Sequence, residues 1–314
     1  MSSILNITLP IFLLIGLGYG LVRGGMFTRE HMRALGQIVV NVALPAVIIR
    51  ALSKSSVAEV FNVKYIAAYG GASLLVLFTG LAIGLLIRRR SLTVAAIRSL
   101  GMSNSNSAFI GFPVAYQLLG APAVVGLALN AIIENVLIIP TALTLAEIGR
   151  GERDGVSRVL ARTAVSLAKS PLLIAVAFGM LLTVTGLGLP VPIARAIDMV
   201  ANMAAAGSLL VIGGSLVGLQ TKGLLTTISI IGAGKLLLHP LAVLGGITLV
   251  GMDDPNMRAV ALVFAACPML SVLPLLAARY GEEGPCAAAL LATTIASFFT
   301  LSTWIWLISH GIVG

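Results

Sequence analysis

A polar run interrupts an otherwise apolar segment, and it contains the residues best suited to binding chemistry. Ser103-Asn104-Ser105-Asn106-Ser107 lies inside a segment that runs over 98–119. The middle of the run lies about seven residues, and so about 10 Å, into that segment at roughly 1.5 Å per residue of helix. Asparagine offers amide N–H donors and a carbonyl acceptor without the cost of burying a full charge. This chemistry suits the binding of a carboxylate.

A second segment, over 257–279, contains a matching interruption. Serine and asparagine weaken a helix and proline removes a donor, so Pro113 and Pro274 are predicted to break their segments. If both helices break and cross, the N-termini of two half-helices converge and favour an anion. The alternative, that both are kinked packing helices, stays open. The candidate substrate-binding residues are Asn104, Ser105, Asn106, Ser107, Cys267, Pro268 and Ser271.

Ionisable residues inside apolar segments form a second set of candidates, for ion coupling. Glu134 lies midway along the segment 122–147, close to Asn130. It either carries a proton or coordinates sodium, or it bonds a neighbouring helix as a structural group. Lys235 and His239 are four residues apart and therefore share one helix face. Either could balance Glu134 or a substrate carboxylate, although Lys235 could also extend toward the cytoplasm.

The composition requires a lipid environment for most of the chain. Of 314 residues, 58% are hydrophobic and 10% charged, with a mean hydropathy of +1.07, whereas a soluble surface needs far more charge. Helices are the only regular structure that fits such long apolar segments. We predict ten of them, listed here: 4–22, 34–52, 65–87, 98–119, 122–147, 168–187, 198–218, 225–249, 257–279 and 285–309.

The distribution of basic residues predicts the orientation. Fourteen basic residues, including Lys222, fall in loops after odd-numbered segments. Five, including Lys54, fall in loops after even-numbered segments. The positive-inside rule then places both termini outside and the loop after the fifth segment in the cytoplasm of a bacterial inner membrane. This distribution also explains the net charge of +9 without a nucleic-acid partner.

An internal repeat relates the two halves of the chain. A shift of 161 positions superimposes special residues, for example Pro10 on Pro171, Gly18 on Gly179 and Pro113 on Pro274. Each half holds five segments, an odd number, so the second half must have the opposite topology. The predicted domains are residues 1–150, a short cytoplasmic linker over 151–167, and residues 168–314. Inverted repeats are typical of secondary transporters.

The motif from Asn104 to Asn106, followed by Gly111-Phe112-Pro113, resembles the auxin efflux carrier family. That family includes plant auxin exporters and bacterial malate and malonate permeases. The stretches Asn41 to Pro45 and Lys235 to Pro240 also look like those of its bacterial members. The resemblance covers essentially the whole chain, and it places the family's substrate-binding asparagine on Asn106 and its crossover proline on Pro268.

The resemblance implies an all-α fold of the bile-acid-symporter and NhaA type, with the fourth and ninth helices broken and crossing. Helices 1, 2, 6 and 7 would form a scaffold that pairs as a homodimer, and helices 3–5 and 8–10 a transport domain that moves as an elevator. The chain lacks the long central loop of the plant proteins, and Ser105 replaces their crossover proline. A dicarboxylate is therefore a better expectation than auxin.

The leading hypothesis is a secondary transporter of a small organic anion, with a sodium or proton gradient as the driving force and no cofactor. A cation/proton antiporter of similar fold is the alternative, although it would need aspartates at the crossing that are absent from 104–106 and 267–271. An intramembrane enzyme would need paired carboxylates, metal-ligand spacing or a nucleophile–base pair, none of which the segments offer.

Overall fold

Helices make up all the regular structure in the computed structural model, which describes residues 2–53, 62–151, 153–219 and 224–313. Within those ranges there is no strand, and only an isolated antiparallel bridge joins Ser105 to Met269. Lys54 and Lys222, both used to predict the orientation, lie outside the described residues, as does Glu152 of the predicted linker.

The helices follow the predicted segments closely, and several boundaries coincide. In chain order they are α1 Ser2–Arg23, α2 Arg29–Leu52, α3 Val63–Ile87, α4 Leu92–Ser103, α5 Ser107–Leu119, α6 Pro122–Gly149, α7 Arg153–Ala168, α8 Pro171–Thr185, α9 Val191–Ser215, α10 Leu225–Leu249, α11 Pro255–Ala266, α12 Leu273–Ala278 and α13 Glu283–Ser309.

Six of the described helices are long and apolar enough to cross a membrane: α2, α3, α6, α9, α10 and α13. The number rises to seven if α7 and α8, which meet at a 48° bend, form one span. The stretch Leu9–Arg23 of α1 and the helices α4, α5 and α11 are apolar but shorter. The chain is therefore an all-α polytopic membrane protein, because a helix of about 20 apolar residues spans the hydrocarbon core.

One helix occupies a region that the sequence analysis treats as a linker. Helix α7 covers Arg153–Ala168 and includes most of the predicted linker 151–167. Arginines and other polar residues interrupt the apolar pattern of α7. For that reason the composition of this stretch predicts a loop and not a helix. Ser170 caps the next helix by accepting a hydrogen bond from the backbone N–H of Leu173, and Pro171 follows at the first position.

Four prolines inside long helices are each preceded by a widened, π-helical turn in the described chain. The pairs are Val39–Ala43 before Pro45, Ser107–Gly111 before Pro113, Ile133–Ile138 before Pro140, and Gly234–Leu238 before Pro240. Proline has no N–H to donate, and its ring collides with the carbonyl four residues earlier. A π turn moves that carbonyl away and lets the helix continue.

Contacts between residues divide the chain into two compact units. The first unit contains Met1–Val63, Ser107–Ala131 and Ala168–Val217, and the second contains Lys64–Asn106, Ile132–Leu167 and Gly218–Gly314. In the first unit α1 and α9 cross at glycines, with Gly18 against the backbone of Leu210 and Gly213 against the carbonyl of Ile15. A β-carbon at either position would overlap that backbone, so glycine permits the close crossing.

The second unit is also tied together by polar contacts near the helix ends. Arg98 on α4 donates from Nε and Nη2 to both carboxylate oxygens of Glu282, at 2.8 and 3.2 Å. Lys64 at the start of α3 pairs with Asp253 at 2.7 Å. Gly246 of α10 packs against the carbonyl of Ala68 on α3. These contacts join α3 to α10 and to the chain just before α11, and they join α4 to the chain just before α13.

Candidate functional site

Two extended segments pair with each other in the second unit, where α4 and α11 end. Helix α4 ends at Ser103, and Asn104 is extended with φ −116° and ψ 133°. Helix α11 ends at Ala266, and Cys267 is extended with φ −68° and ψ 157°. The sequence prediction of an interruption is confirmed at both places. Pro113 and Pro274, the predicted helix-breaking residues, both lie after the breaks: Pro113 is inside α5, directly after its π-helical turn, and Pro274 is in the first turn of α12, where proline is favourable.

Main-chain hydrogen bonds join the two extended segments. The Asn106 amide donates to the Pro268 carbonyl at 2.9 Å, and the Leu270 amide donates to the Asn104 carbonyl at 3.3 Å. Ser105 and Met269 lie opposite each other in an antiparallel bridge. Broken helices leave main-chain groups that lipid cannot satisfy. Each extended segment supplies the missing partners of the other, which permits both breaks to lie in the interior.

The two asparagines at this crossing are buried with much of their hydrogen-bonding capacity unused. Asn104 and Asn106 are each 1% exposed. Among the described residues, Nδ2 and Oδ1 of Asn104 and Nδ2 of Asn106 have no hydrogen-bond partner. Asn106 Oδ1 accepts a long hydrogen bond from Ser271 Oγ, at 3.5 Å. A buried polar group without a partner costs about 1–3 kcal/mol. The amide N–H groups are therefore available for a ligand with acceptor oxygens.

Lys235 caps the end of α11 from the neighbouring helix α10. Its Nζ is fully buried and donates to the Ala265 carbonyl at 2.6 Å. That carbonyl belongs to the last turn of α11, where intrahelical partners are missing and the helix dipole is negative. A cation is stabilised at such a position, so the carbonyl both orients Lys235 and offsets part of its burial. Lys235 therefore lies in the interior and does not extend to the membrane surface.

A chain of hydrogen bonds continues from Lys235 across the second unit. Lys235 Nζ lies 2.7 Å from His239 Nδ1, and His239 Nε2 lies 2.9 Å from Ser73 Oγ. Because an ammonium only donates, Nδ1 accepts and Nε2 carries the hydrogen that reaches Ser73. The His239 ring packs edge-on against Tyr69, whose hydroxyl donates to Ser105 Oγ at 3.0 Å. The predicted coupling residues are thus connected to the crossing segments.

Glu134 is also part of this buried polar cluster. It lies in the π-helical turn Ile133–Ile138 of α6 and is almost completely buried. Its charge interacts with Lys235 and with the side chains of Tyr69 and Cys267. Opposite charges on a buried carboxylate and a buried ammonium offset part of the cost of burying each.

Other predicted site residues have different surroundings. In the first unit, Asn130 Nδ2 donates to Ser107 Oγ at 3.2 Å, and both side chains are buried. In the second unit, the Cys267 thiol donates back to the Val263 carbonyl at 3.1 Å, within its own helix. Pro268 contributes its main-chain carbonyl to the crossing and no polar side-chain atom.

Sequence reasoning missed Tyr69 and Ser73. Both lie on α3, a segment that contains no charged residue between Lys64 and Arg88. The signal was nevertheless present, since Tyr65, Tyr69 and Ser73 are spaced by four and so share one helix face. A stripe of hydroxyl groups on one face of an apolar helix indicates a polar neighbour. That neighbour is His239 together with Ser105.

A polytopic helical protein with two interrupted helices and unused polar groups where they pair belongs to the class of membrane transport proteins. The family model described as membrane transport protein matches residues 3–305. The chain belongs to this family, the auxin efflux carrier family that the helix-interrupting motif predicts. It is a transporter and not an enzyme.

Curated relatives match over nearly the full length. A Rhizobium meliloti (strain 1021) protein named "Putative malonate transporter" is 28% identical over 312 residues, covering 99% of this chain and 98% of its own. The Escherichia coli (strain K12) protein named "Uncharacterized transporter YfdV" is 26% identical over 306 residues, with 95% of each chain covered. A Shigella flexneri protein of the same name matches to the same extent.

Proposed function

We propose that this chain is a secondary active transporter that moves a small organic anion, a mono- or dicarboxylate, across the inner membrane by elevator-type alternating access. The observation that carries the proposal is the pair of buried asparagines whose amide N–H groups have no partner among the described residues. Two amide groups offer four N–H donors between them, and a carboxylate accepts on both oxygens. The family membership supports transport, and the site chemistry supports an anion.

A dicarboxylate is the favoured substrate class. The Rhizobium meliloti relative has malonate in its name. A second carboxylate of such a substrate would need another source of positive charge in the interior, and Lys235 is a fully buried basic residue of the second unit. Its Nζ has three hydrogens, of which the Ala265 carbonyl and His239 use two. Neutral amides at the crossing itself weigh against the alternative of a cation/proton antiporter.

The proposed coupling groups are Glu134, Lys235 and His239, with Asn130 as a further candidate. We favour a proton over sodium, because Lys235 and His239 can bind and release protons and the Ser73 hydroxyl extends their hydrogen-bond chain. A sodium site would instead present carbonyl and carboxylate oxygens. The Ala265 carbonyl at the end of α11 could bind a sodium ion, but it already accepts a hydrogen bond from Lys235.

The proposed architecture is ten spans in two inverted five-helix halves, with both termini outside and a homodimer formed by the scaffolds. In this scheme α4 with α5 and α11 with α12 are the fourth and ninth spans. The predicted scaffold segments 4–22, 34–52 and 168–187, and all but the last residue of 198–218, belong to the first compact unit. The third, eighth, ninth and tenth segments belong to the second, which supports the division into two bodies, whereas the fourth and fifth are split, with 107–131 in the first unit.

Uptake into liposomes tests the proposal. The purified full chain is reconstituted, and entry of labelled malonate and malate is followed under imposed proton or sodium gradients. We expect saturable uptake that falls by at least about tenfold in Asn106→Ala, since one hydrogen bond to a charged group contributes about 1.5–3 kcal/mol. Asn256→Ala is the matched control, because that asparagine is exposed at the start of α11. Undiminished uptake by Asn106→Ala would place the site elsewhere.

A paired lysine comparison tests the coupling groups in the same assay. Lys235→Met removes a buried basic group from the polar cluster and with it the hydrogen bonds to Ala265 and His239, so we expect gradient-driven uptake to fall by about tenfold or more. Lys64→Met removes an exposed lysine that pairs with Asp253 at the protein surface, and we expect a change of less than about twofold. Equal effects of the two substitutions would argue against a role of Lys235 in transport.

A further inference from the structure

A cleft in the second unit, away from the crossing segments, is lined by arginines. It lies between the end of α3, the start of α4 and the first turns of α10. Arg88, Arg90 and Arg98 supply its charge, and Thr227 adds a hydroxyl group. Neither the ion-coupling cluster nor the substrate site uses these residues. Their charge and position indicate a separate binding site for an anion.

The arginines of the cleft differ in how far they are neutralised. Arg98 is bound by Glu282 through Nε and Nη2, and its Nη1 donates to Thr227 Oγ1 at 3.0 Å. Thr227 accepts that bond, so its own hydroxyl hydrogen is free to donate. In the part of the chain that the structure describes, the guanidinium groups of Arg88 and Arg90 have no hydrogen bond or ion pair. Two guanidinium groups and a hydroxyl form a donor set for phosphate oxygens.

The remaining walls of the cleft are apolar, and an exposed apolar surface lies directly before Arg88 in the chain. Ile83, Ile230 and Ile231 line it next to the arginines. Directly before Arg88, Leu86 is 79% exposed and Ile87 is 72% exposed. Large apolar side chains this exposed beside three consecutive arginines are typical of a helix end at the boundary between hydrocarbon and headgroups. A free phosphate ion would make no use of the apolar walls.

The turn between α3 and α4 separates the arginines. Arg89 has φ +48°, the only positive φ of a residue other than glycine in the described chain. The Arg90 amide donates to the Gly84 carbonyl at 3.0 Å and so returns the chain toward the cleft. As a result Arg88 and Arg90 line the cleft, whereas Arg89 does not. All three neighbouring arginines are exposed, but only Arg88 and Arg90 line the cleft, so Arg89 serves as a comparison with the same charge.

We propose that this cleft binds the headgroup of an anionic phospholipid, with Arg88, Arg90 and Thr227 on the phosphate oxygens and the glycerol and upper acyl carbons against Ile83 and Ile230. Phosphatidylglycerol and cardiolipin have this chemistry, whereas phosphatidylcholine has a compensating cation. The inference does not depend on which substrate the protein carries. We therefore expect one bound lipid to contact α3, α4 and α10 at the same time.

Lipid titration of the full chain in detergent, read by native mass spectrometry, tests the proposal. The probes are phosphatidylglycerol and phosphatidylcholine with the same acyl chains. We expect at least about tenfold tighter binding of phosphatidylglycerol, because basic residues near the membrane surface attract an anionic headgroup more strongly than a zwitterionic one. The double variant Arg88→Gln/Arg90→Gln should lose this preference, and Arg89→Gln should keep it within about twofold.

Three results would overturn the proposal. An equal loss in Arg89→Gln would show attraction by surface charge alone. Displacement of the lipid by inorganic phosphate at the same concentration would show a site for a free anion. Equal binding of both lipids by the unsubstituted chain would show that the headgroup charge is not recognised. The unfolding temperature of each variant without added lipid serves as the check that it is folded.

Discussion

At the scale of single residues, Asn104 and Asn106 stand out because they are buried without full use of their polar atoms. The sequence could predict a polar run at this depth, since five consecutive serines and asparagines are unusual in an apolar segment. It could not predict which of the five would remain without a partner. Ser105 receives the Tyr69 hydroxyl and Ser107 the Asn130 amide, and both contacts depend on how other helices pack.

Replacement of Asn104 by leucine should stabilise the protein while it abolishes binding. Leucine has a similar size and removes two buried polar atoms without partners, so we expect a gain of about 1–3 kcal/mol in the absence of substrate. Thermal unfolding in detergent with and without malonate measures both effects. The stabilisation by malonate should disappear in the variant. A variant less stable than the parent without ligand would indicate that Asn104 has a structural partner.

Tyr280 provides a pH-dependent contribution outside the spans. Burial, together with the hydrogen bond from its hydroxyl to Glu147 Oε1 at 2.8 Å, raises the pKa of Tyr280 from 10.0 to about 12. The folded state therefore holds this proton more tightly than the unfolded state. The stabilisation is complete below pH 10 and is lost as the pH rises toward 12.

The phenolate absorbance of the folded protein measures this titration. The parent should show one tyrosine titrating near pH 12 that Tyr280→Phe lacks, and the stability of that variant should fall less between pH 10 and 12. Tyr19→Phe is the control, because Tyr19 is exposed and lies in α1. A difference spectrum with its midpoint near 10 would contradict the assignment.

At the scale of helices, the sequence shows which spans contain a proline, but the effect of each proline on the helix could not be predicted. A proline predicts a kink or a break, whereas in α2, α5, α6 and α10 the structure accommodates it by a widened turn. Which outcome occurs depends on whether neighbouring helices leave room for the extra residue per turn, and this is a property of packing. Two of these widened turns contain the ionisable residues Glu134 and Lys235.

Replacement of Pro240 by alanine should therefore reduce transport without loss of stability. Alanine restores the N–H donor and removes the steric cause of the π turn Gly234–Leu238, so the helix can tighten and rotate Lys235 away from Ala265. We expect uptake to fall by about tenfold and the unfolding temperature to stay equal or rise. Pro255→Ala is the control, since Pro255 is at the first position of α11 and no widened turn precedes it. Unchanged uptake would show that the π turn does not position Lys235.

At the scale of the whole molecule, most of the fold could be predicted from the lengths of the apolar segments and the distribution of charged residues. The segment 225–249 coincides with α10, and the interruptions at Asn104 and Cys267 fall where the polar and proline residues indicate. The division into two compact units could not be predicted from composition. It depends on long-range contacts such as those of Gly18 with Leu210, and on boundaries at Asn106 and Ala131 that fall inside predicted segments.

The proposed topology predicts where each terminus lies. Fusion of green fluorescent protein to the C-terminus should give a dark product, and fusion of alkaline phosphatase an active one, because both reporters distinguish the two sides of the inner membrane. The charge distribution is the physical reason, since basic loops are retained in the cytoplasm. Fusions truncated after Arg150, in the loop after the fifth segment, should give the opposite pattern. A fluorescent full-length fusion would contradict the predicted orientation.

The crossing of the extended segments is held by main-chain atoms, through Asn106 with Pro268 and Leu270 with Asn104. Main-chain bonds impose little requirement on the side chains that the same residues carry. Mutations at these positions can therefore alter what is recognised while the interruption of both helices persists. A frame of this kind favours evolutionary divergence of specificity, and it offers a practical route to redesigning the preference of the protein by substitution at a few neighbouring positions.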